Sequence, residues 1–150
     1  VWDYPRPPRI EPCSKPVRVV FQGETIASSQ QALRVLETSS PPTIYVPPDD
    51  VRSDLMREVA NHQTYCEWKG AASYFDVVLP RAVAERACWS YPDPKPAFVT
   101  IKDYLSFYPG RVECYLGAER VRPQEGGFYG GWITDEIVGP FKGSPGTSGW

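Results

Sequence analysis

The sequence predicts a mostly β domain of short strands with one or two short helices, and three observations predict it. Prolines number 17 in 150 residues, a density that breaks helices and keeps strands short. Five Trp, nine Tyr and six Phe supply a core built on rings whose polar tips want partners. Short runs of β-branched and aromatic residues alternate with polar ones between turn residues. A chain of 150 residues is about one domain, enough to bury a core.

Residues 1–16 hold Trp2, Tyr4 and prolines at 5, 7, 8, 12 and 16. They read as an extended, polyproline-like arm, with the two rings available to pin it to the body or to a neighbouring subunit. Residues 17–121 read as the β domain. Val17, Val19 and Phe21 share one face of a strand, Gln22-Gly23 turns it, and residues 24–27 return, which makes a hairpin. Residues 31–37 fit helical and strand spacing equally well. Residues 43–46 form a strand that Pro47 and Pro48 end. Asp49 or Asp50 then caps a short helix over 51–58, with Val51, Leu55 and Val59 on one side. Asn61, His62 and Gln63 make a polar loop.

Residues 72–79 form a strand with Phe75, Val77 and Leu79 on one face and Tyr74, Asp76 and Val78 on the other. Residues 82–89 return antiparallel, and Pro92, Pro94 and Pro96 stiffen the next loop. Ile101, Tyr104, Leu105 and Tyr108 fall on one stripe of a second short helix, stopped by Pro109-Gly110. Val112, Cys114 and Leu116 alternate in a final strand. Residues 122–150 form a Gly- and aromatic-rich tail expected to wrap the body and clip its rings onto it.

Composition removes several functions. A net charge of −2 argues against a nucleic-acid partner, which calls for a dense basic face. No run approaches the roughly 18 apolar residues of a membrane span, so no membrane partner is expected. The N-terminus shows no basic start followed by an apolar segment and is not read as a signal peptide. Cys13, Cys66, Cys88 and Cys114 are widely spaced and form no C-x-x-C pair, so the expectation is reduced thiols, a cytoplasmic location and no metal. His62 is the one histidine, and in a polar loop it reads as a surface residue. Asp49-Asp50 reads as a cap and Asp135-Glu136 as a solvated turn. No glycine pattern matches a phosphate loop, and no cofactor is expected.

The densest chemistry lies at Thr64-Tyr65-Cys66-Glu67-Trp68-Lys69-Gly70, then Tyr74, then Cys88-Trp89-Ser90-Tyr91-Pro92. Cys66 and Lys69 are three apart. An ammonium turned toward the sulfur would make a nucleophile, whereas a buried Cys beside a Lys that reaches for water would be inert. Tyr45, Tyr65, Cys66, Lys69, Tyr74, Trp89 and Tyr91 either form an ordinary aromatic core or line a pocket with walls of rings and a few directed donors. No assigned catalytic residue follows; Cys66 and Lys69 are the candidates.

The run V-R-V-V-F-Q-G-E-T-I-A-S-S-Q-Q-A-L-R-V-L-E from Val17 to Glu37 opens a series of motifs that resembles a known family. The series continues with Y-V-P-P-D-D-V from Tyr45, T-Y-C with Lys69-Gly70 and Tyr74, W-S-Y-P from Trp89, and Tyr104 with Phe107-Tyr108. In that order they resemble domain-of-unknown-function family 427, sometimes labelled nucleotidyltransferase-like, over roughly residues 17–116. The arm and the tail resemble the family's longer variants. The resemblance implies compact, mostly antiparallel coiled sheets similar to the β-tent group. Members of that group hold zinc with paired cysteines, which this chain lacks, so zinc is not carried over. The family motif has Pro after the Cys and Tyr before the Lys. Here Glu67 and Trp68 stand there, leaving Cys66 and Lys69 in place. The resemblance implies no established activity, and no phosphate loop or spaced metal-binding acids support the nucleotidyltransferase label.

Three functions are thus expected in order: a module binding a small, anionic or planar molecule around Lys69; an enzyme using Cys66 or Lys69; and an assembly protein whose terminal arms join a homodimer.

Overall fold

The computed structural model describes residues 9–37, 41–66, 68–124 and 130–135. The strands are β1 (Arg9–Pro12), β2 (Val17–Phe21), β3 (Glu24–Ser29), β4 (Leu33–Leu36), β5 (Thr43–Tyr45), β6 (Met56–Cys66), β7 (Gly70–Leu79), β8 (Ala82–Ser90), β9 (Leu105–Phe107), β10 (Glu113–Leu116), β11 (Glu119–Arg120), β12 (Arg122–Pro123) and β13 (Trp132–Ile133). Every ladder between them is antiparallel. The helical content of the described residues is 3-10 turns, with no helix of seven residues or more.

One sheet runs β6-β7-β8-β9, another β1-β4-β5. They are stitched end to end, because the Val46 and Leu105 backbones exchange N–H···O bonds of 2.8 and 2.9 Å. The β11-β10-β2-β3 sheet supplies Val19, Ile26 and Cys114 to a core shared with Val77, Cys88 and Phe107. A second cluster holds Val35, Tyr45, Tyr74, Trp89, Tyr91, Phe98 and Ile101. Period-two alternation divides the two: Ile44, Cys88 and Val77 face the aliphatic core, while Tyr45, Trp89 and Tyr74 face the aromatic one. Of the window 31–37, whose spacing fits helix and strand equally, residues 33–36 form β4, paired on both sides by β1 and β5.

Both expected helices are absent. Residues 48–50 and 53–55 are 3-10 turns, and from Met56 the chain is strand. The Arg52 N–H donates to the Ile26 carbonyl at 2.8 Å, and Arg57 and Glu58 sit opposite Asp76 and Phe75 on β7. Long-range pairing therefore outweighs a local stripe. Asn61, His62 and Gln63 are not a loop but part of β6. The register jumps from Glu58↔Phe75 to Gln63↔Ser73, so a wide bulge leaves Asn61 at φ 59°. In place of the helix over 101–108, a 3-10 segment ends at Ile101, Asp103 turns at φ 63°, and Leu105 enters β9. Leu105 has ladder partners on both sides, Ser90 and Val46, which no helix could satisfy.

A second bulge lies in β8, where Phe75↔Cys88 gives way to Val77↔Ala84 and Arg86 takes φ 46°. The buried Asp76 carboxylate accepts the Arg86 N–H at 2.8 Å and the Arg57 guanidinium at 2.7 Å, fixing that kink.

Arg9–Pro12, within the arm expected over 1–16, pair with β4; Trp2 and Tyr4 lie outside the described residues. Of the tail rings, Phe128, Tyr129, Phe141 and Trp150 also lie outside them. Trp132 is buried, donating its backbone N–H to the Pro42 carbonyl and its Nε1–H to the Phe107 carbonyl at 2.8 and 3.0 Å. The approach needs glycine. A Cβ on Gly130 would stand 2.1 Å from the Trp89 ring, and one on Gly131 would stand 2.6 Å from the Gln124 amide oxygen. No helix among the described residues is long and apolar enough to cross a membrane. The four cysteines are free. The described residues contain no cluster of three or more His, Cys, Asp and Glu that could hold a metal.

Candidate functional site

Rings from the β1-β4-β5 and β6-β7-β8-β9 sheets border an open hollow of about 220 Å³. Tyr45, Tyr65, Cys66, Lys69, Tyr74, Trp89 and Tyr91 all line it. They arrive from several parts of the chain. β5 brings Tyr45, the end of β6 brings Tyr65 and Cys66, β7 brings Tyr74, and β8 with the residues after it brings Trp89 and Tyr91. Tyr74 and Trp89 are direct cross-strand partners, a placement that lets large rings pack.

Lys69 comes from the β6–β7 turn. Gly70 follows it at φ +115°, and a Cβ there would press to 3.3 Å from the Asp93 carbonyl. The positive φ favours glycine here, and the tight approach of the Asp93 carbonyl adds to that preference. The Lys95 N–H donates to the Lys69 carbonyl at 2.9 Å, so the proline-rich loop holds the turn from outside.

The Lys69 side chain is 6% exposed and is not alone: its Nζ forms an ion pair with Glu37, which the sequence reading missed. Nζ also stands 3.9 Å from Cys66 Sγ and 6.0 Å from the centre of the Tyr91 ring. Burial pulls the Lys69 pKa down most strongly. Glu37, with smaller help from Tyr91 and Cys66, more than reverses this, and the net shift is upward. The ammonium thus stays charged and is locally neutralised.

The rings form a connected set. Trp89 meets Tyr45 edge to face at 6.2 Å and donates Nε1–H to its hydroxyl at a long 3.4 Å. Trp89 also leans on Tyr108 at 4.6 Å, and Tyr45 on Tyr91 at 6.3 Å. The Tyr74 hydroxyl shares a 2.8 Å hydrogen bond with Thr64, and His62 packs its ring edge against Tyr74 at 4.8 Å. Burial pushes the pKa of Tyr45, Tyr91 and Tyr108 well up, so these phenols keep their protons. The Thr43 hydroxyl is buried in the wall without a hydrogen bond of full geometry, though it stands near enough to Tyr45 to pull that phenol's pKa slightly down. Tyr65 is the outlier: it is 68% exposed at the rim, with Lys95 Nζ 5.1 Å from its ring centre.

Sequence reasoning missed Glu37, Thr43, Thr64, Tyr108 and Gln124 as lining residues. A signal existed for Glu37: once residues 33–36 are a strand, it shares the face of Val35, which belongs to the aromatic cluster. Tyr108 was placed on a helix stripe that does not form. A much smaller hollow of about 30 Å³ between Cys13, Arg34, Ile44 and Trp132 has room for about one water.

The fold and this hollow define a class: a mostly β domain whose antiparallel sheets border a ring-walled hollow with an ion pair at one end, its ammonium buried. The family model described as domain of unknown function DUF427 matches residues 9–117, and the chain belongs to that family. The match begins at Arg9, the start of β1. Comparison with curated proteins finds none that matches.

Proposed function

We propose that this domain binds a small molecule in the hollow around Lys69. The observation that carries the reading is convergence: seven side chains from four strands and the segments beside them meet around one concave space whose walls are rings and whose end holds an ion pair with a buried ammonium. Taking the ammonium out of water is costly to a core built only for stability, and a ligand that bonds to the pair gives it a use. The test is a thermal-shift screen of small metabolites on the intact protein and on Lys69→Ala. Hits that stabilise the first and not the second support the reading. A variant that binds every hit as before, or a screen with no hit at all, sinks it.

A second reading, an enzyme using Cys66, is favoured by the 3.9 Å approach of the Lys69 ammonium to Cys66 Sγ. Alkylation of Cys66 by iodoacetamide across pH decides it; a rate no faster than that of a free thiol removes the motive. Both readings suit a β-tent-like domain in the cytoplasm, a reducing compartment in keeping with four free thiols. Neither needs a nucleic-acid or membrane partner.

A further inference from the structure

We propose, resting on the pocket reading above, that the ligand is an uncharged flat molecule presenting a hydrogen-bond donor beside an acceptor, as a carboxamide or lactam edge does. Among the described lining residues the formal charges are Lys69 and Glu37, and these are bound to each other. An anion entering the hollow would meet an ammonium already neutralised, and a cation would meet a carboxylate already neutralised. Either would lose its water without gaining a counter-ion.

The pair nevertheless has bonding capacity left. One ammonium N–H goes to Glu37 Oε1 and another faces Cys66 Sγ, which leaves a third donor. A carboxylate has two oxygens, so Glu37, whose side chain is 26% exposed, has acceptor capacity beyond the oxygen that holds Lys69. The ion pair thus brings donor and acceptor capacity together at one end of the hollow. That pattern is the mirror of a C=O next to an N–H. The walls favour a flat body, since Trp89, Tyr45, Tyr91 and Tyr108 all line the hollow with rings.

Four probes with one phenyl ring and one flat head separate the possibilities: benzamide, benzoate, benzamidinium and acetophenone. Each is titrated into the intact protein, read by tryptophan fluorescence and melting temperature. Benzamide is expected to bind tightest. Acetophenone, which has the acceptor but no donor, is expected about tenfold weaker, and the two ions weaker than benzamide. In Glu37→Gln the lysine loses its counter-ion, and the benzoate-to-benzamide preference is expected to move about tenfold toward benzoate. Benzoate or benzamidinium binding the intact protein best, or acetophenone matching benzamide, overturns the ligand class and leaves the pocket reading standing. Silence from all four overturns the ligand class; only a failed metabolite screen alongside it also removes the pocket. Because the four-probe comparison needs no variant, it stands even if Glu37→Gln does not fold.

Discussion

Lys69 and Glu37 carry opposite charges in different surroundings, and the difference predicts which is harder to lose. Lys69 is 6% exposed, whereas Glu37 keeps a quarter of its surface in water. Glu37→Gln strands a buried ammonium and is expected to lower stability by about 2–3 kcal/mol. Lys69→Met strands a carboxylate that can still hydrate and is expected to cost about 1 kcal/mol or less. Urea unfolding of both variants checks the order; a reversed order would mean the ammonium has an unrecognised route to water. In the sequence, Lys69 stood out beside Cys66 and five rings. Glu37 did not, because its partner lies 32 residues away and only strand pairing brings them together.

Elements in this fold are placed by contacts that no local stripe records. The β8 bulge depends on Asp76, whose pKa feels an upward push from burial that the Arg86 N–H and the Arg57 guanidinium more than reverse, leaving it below the usual carboxylate range. A lowered folded-state pKa means that its stabilisation is present above the unfolded value of about 3.9 and is lost as pH falls through the folded one. Asp76→Asn should therefore destabilise the protein near neutrality by about 1–3 kcal/mol and flatten the acid limb of its stability profile. Unfolding measured from neutral to acid pH reads both. β13 has a similar dependence on one residue. Trp132→Ala empties a buried site and removes the Nε1–H bond to Phe107, with an expected loss of about 3–5 kcal/mol. A thermal melt that barely moves would mean that residues 130–135 are not needed to complete the core.

At the scale of the molecule, buried phenols set the alkaline limit. Tyr45 and Tyr91 keep their protons in the folded state because burial raises their pKa, while the unfolded chain ionises near pH 10. A raised folded pKa gives stability that is complete below about pH 10 and declines as pH rises toward the folded value. Each phenol should remove about 1.4 kcal/mol per pH unit above that point. The raised pKa of Lys69 acts in the same direction and range. In an alkaline titration the last part of the phenolate absorbance, that of the buried rings, should then appear together with unfolding. The full phenolate signal developing before unfolding would mean that water already reaches the aromatic face.

Composition and alternation alone pointed to a mostly β chain, the hairpin of residues 17–27 and the strands over 72–79 and 82–89, because proline density and period-two patterns are local properties. They misplaced helices over 51–58 and 101–108 because both windows carry apolar residues at helical spacing. Only the tertiary structure decided that Met56 and Leu105 enter ladders, that rings from two sheets border one hollow, and that Glu37 neutralises Lys69. The physical reason is common to all three. Backbone hydrogen bonds and ion pairs between distant segments are worth more than local propensity, and they exist only once the chain has closed on itself.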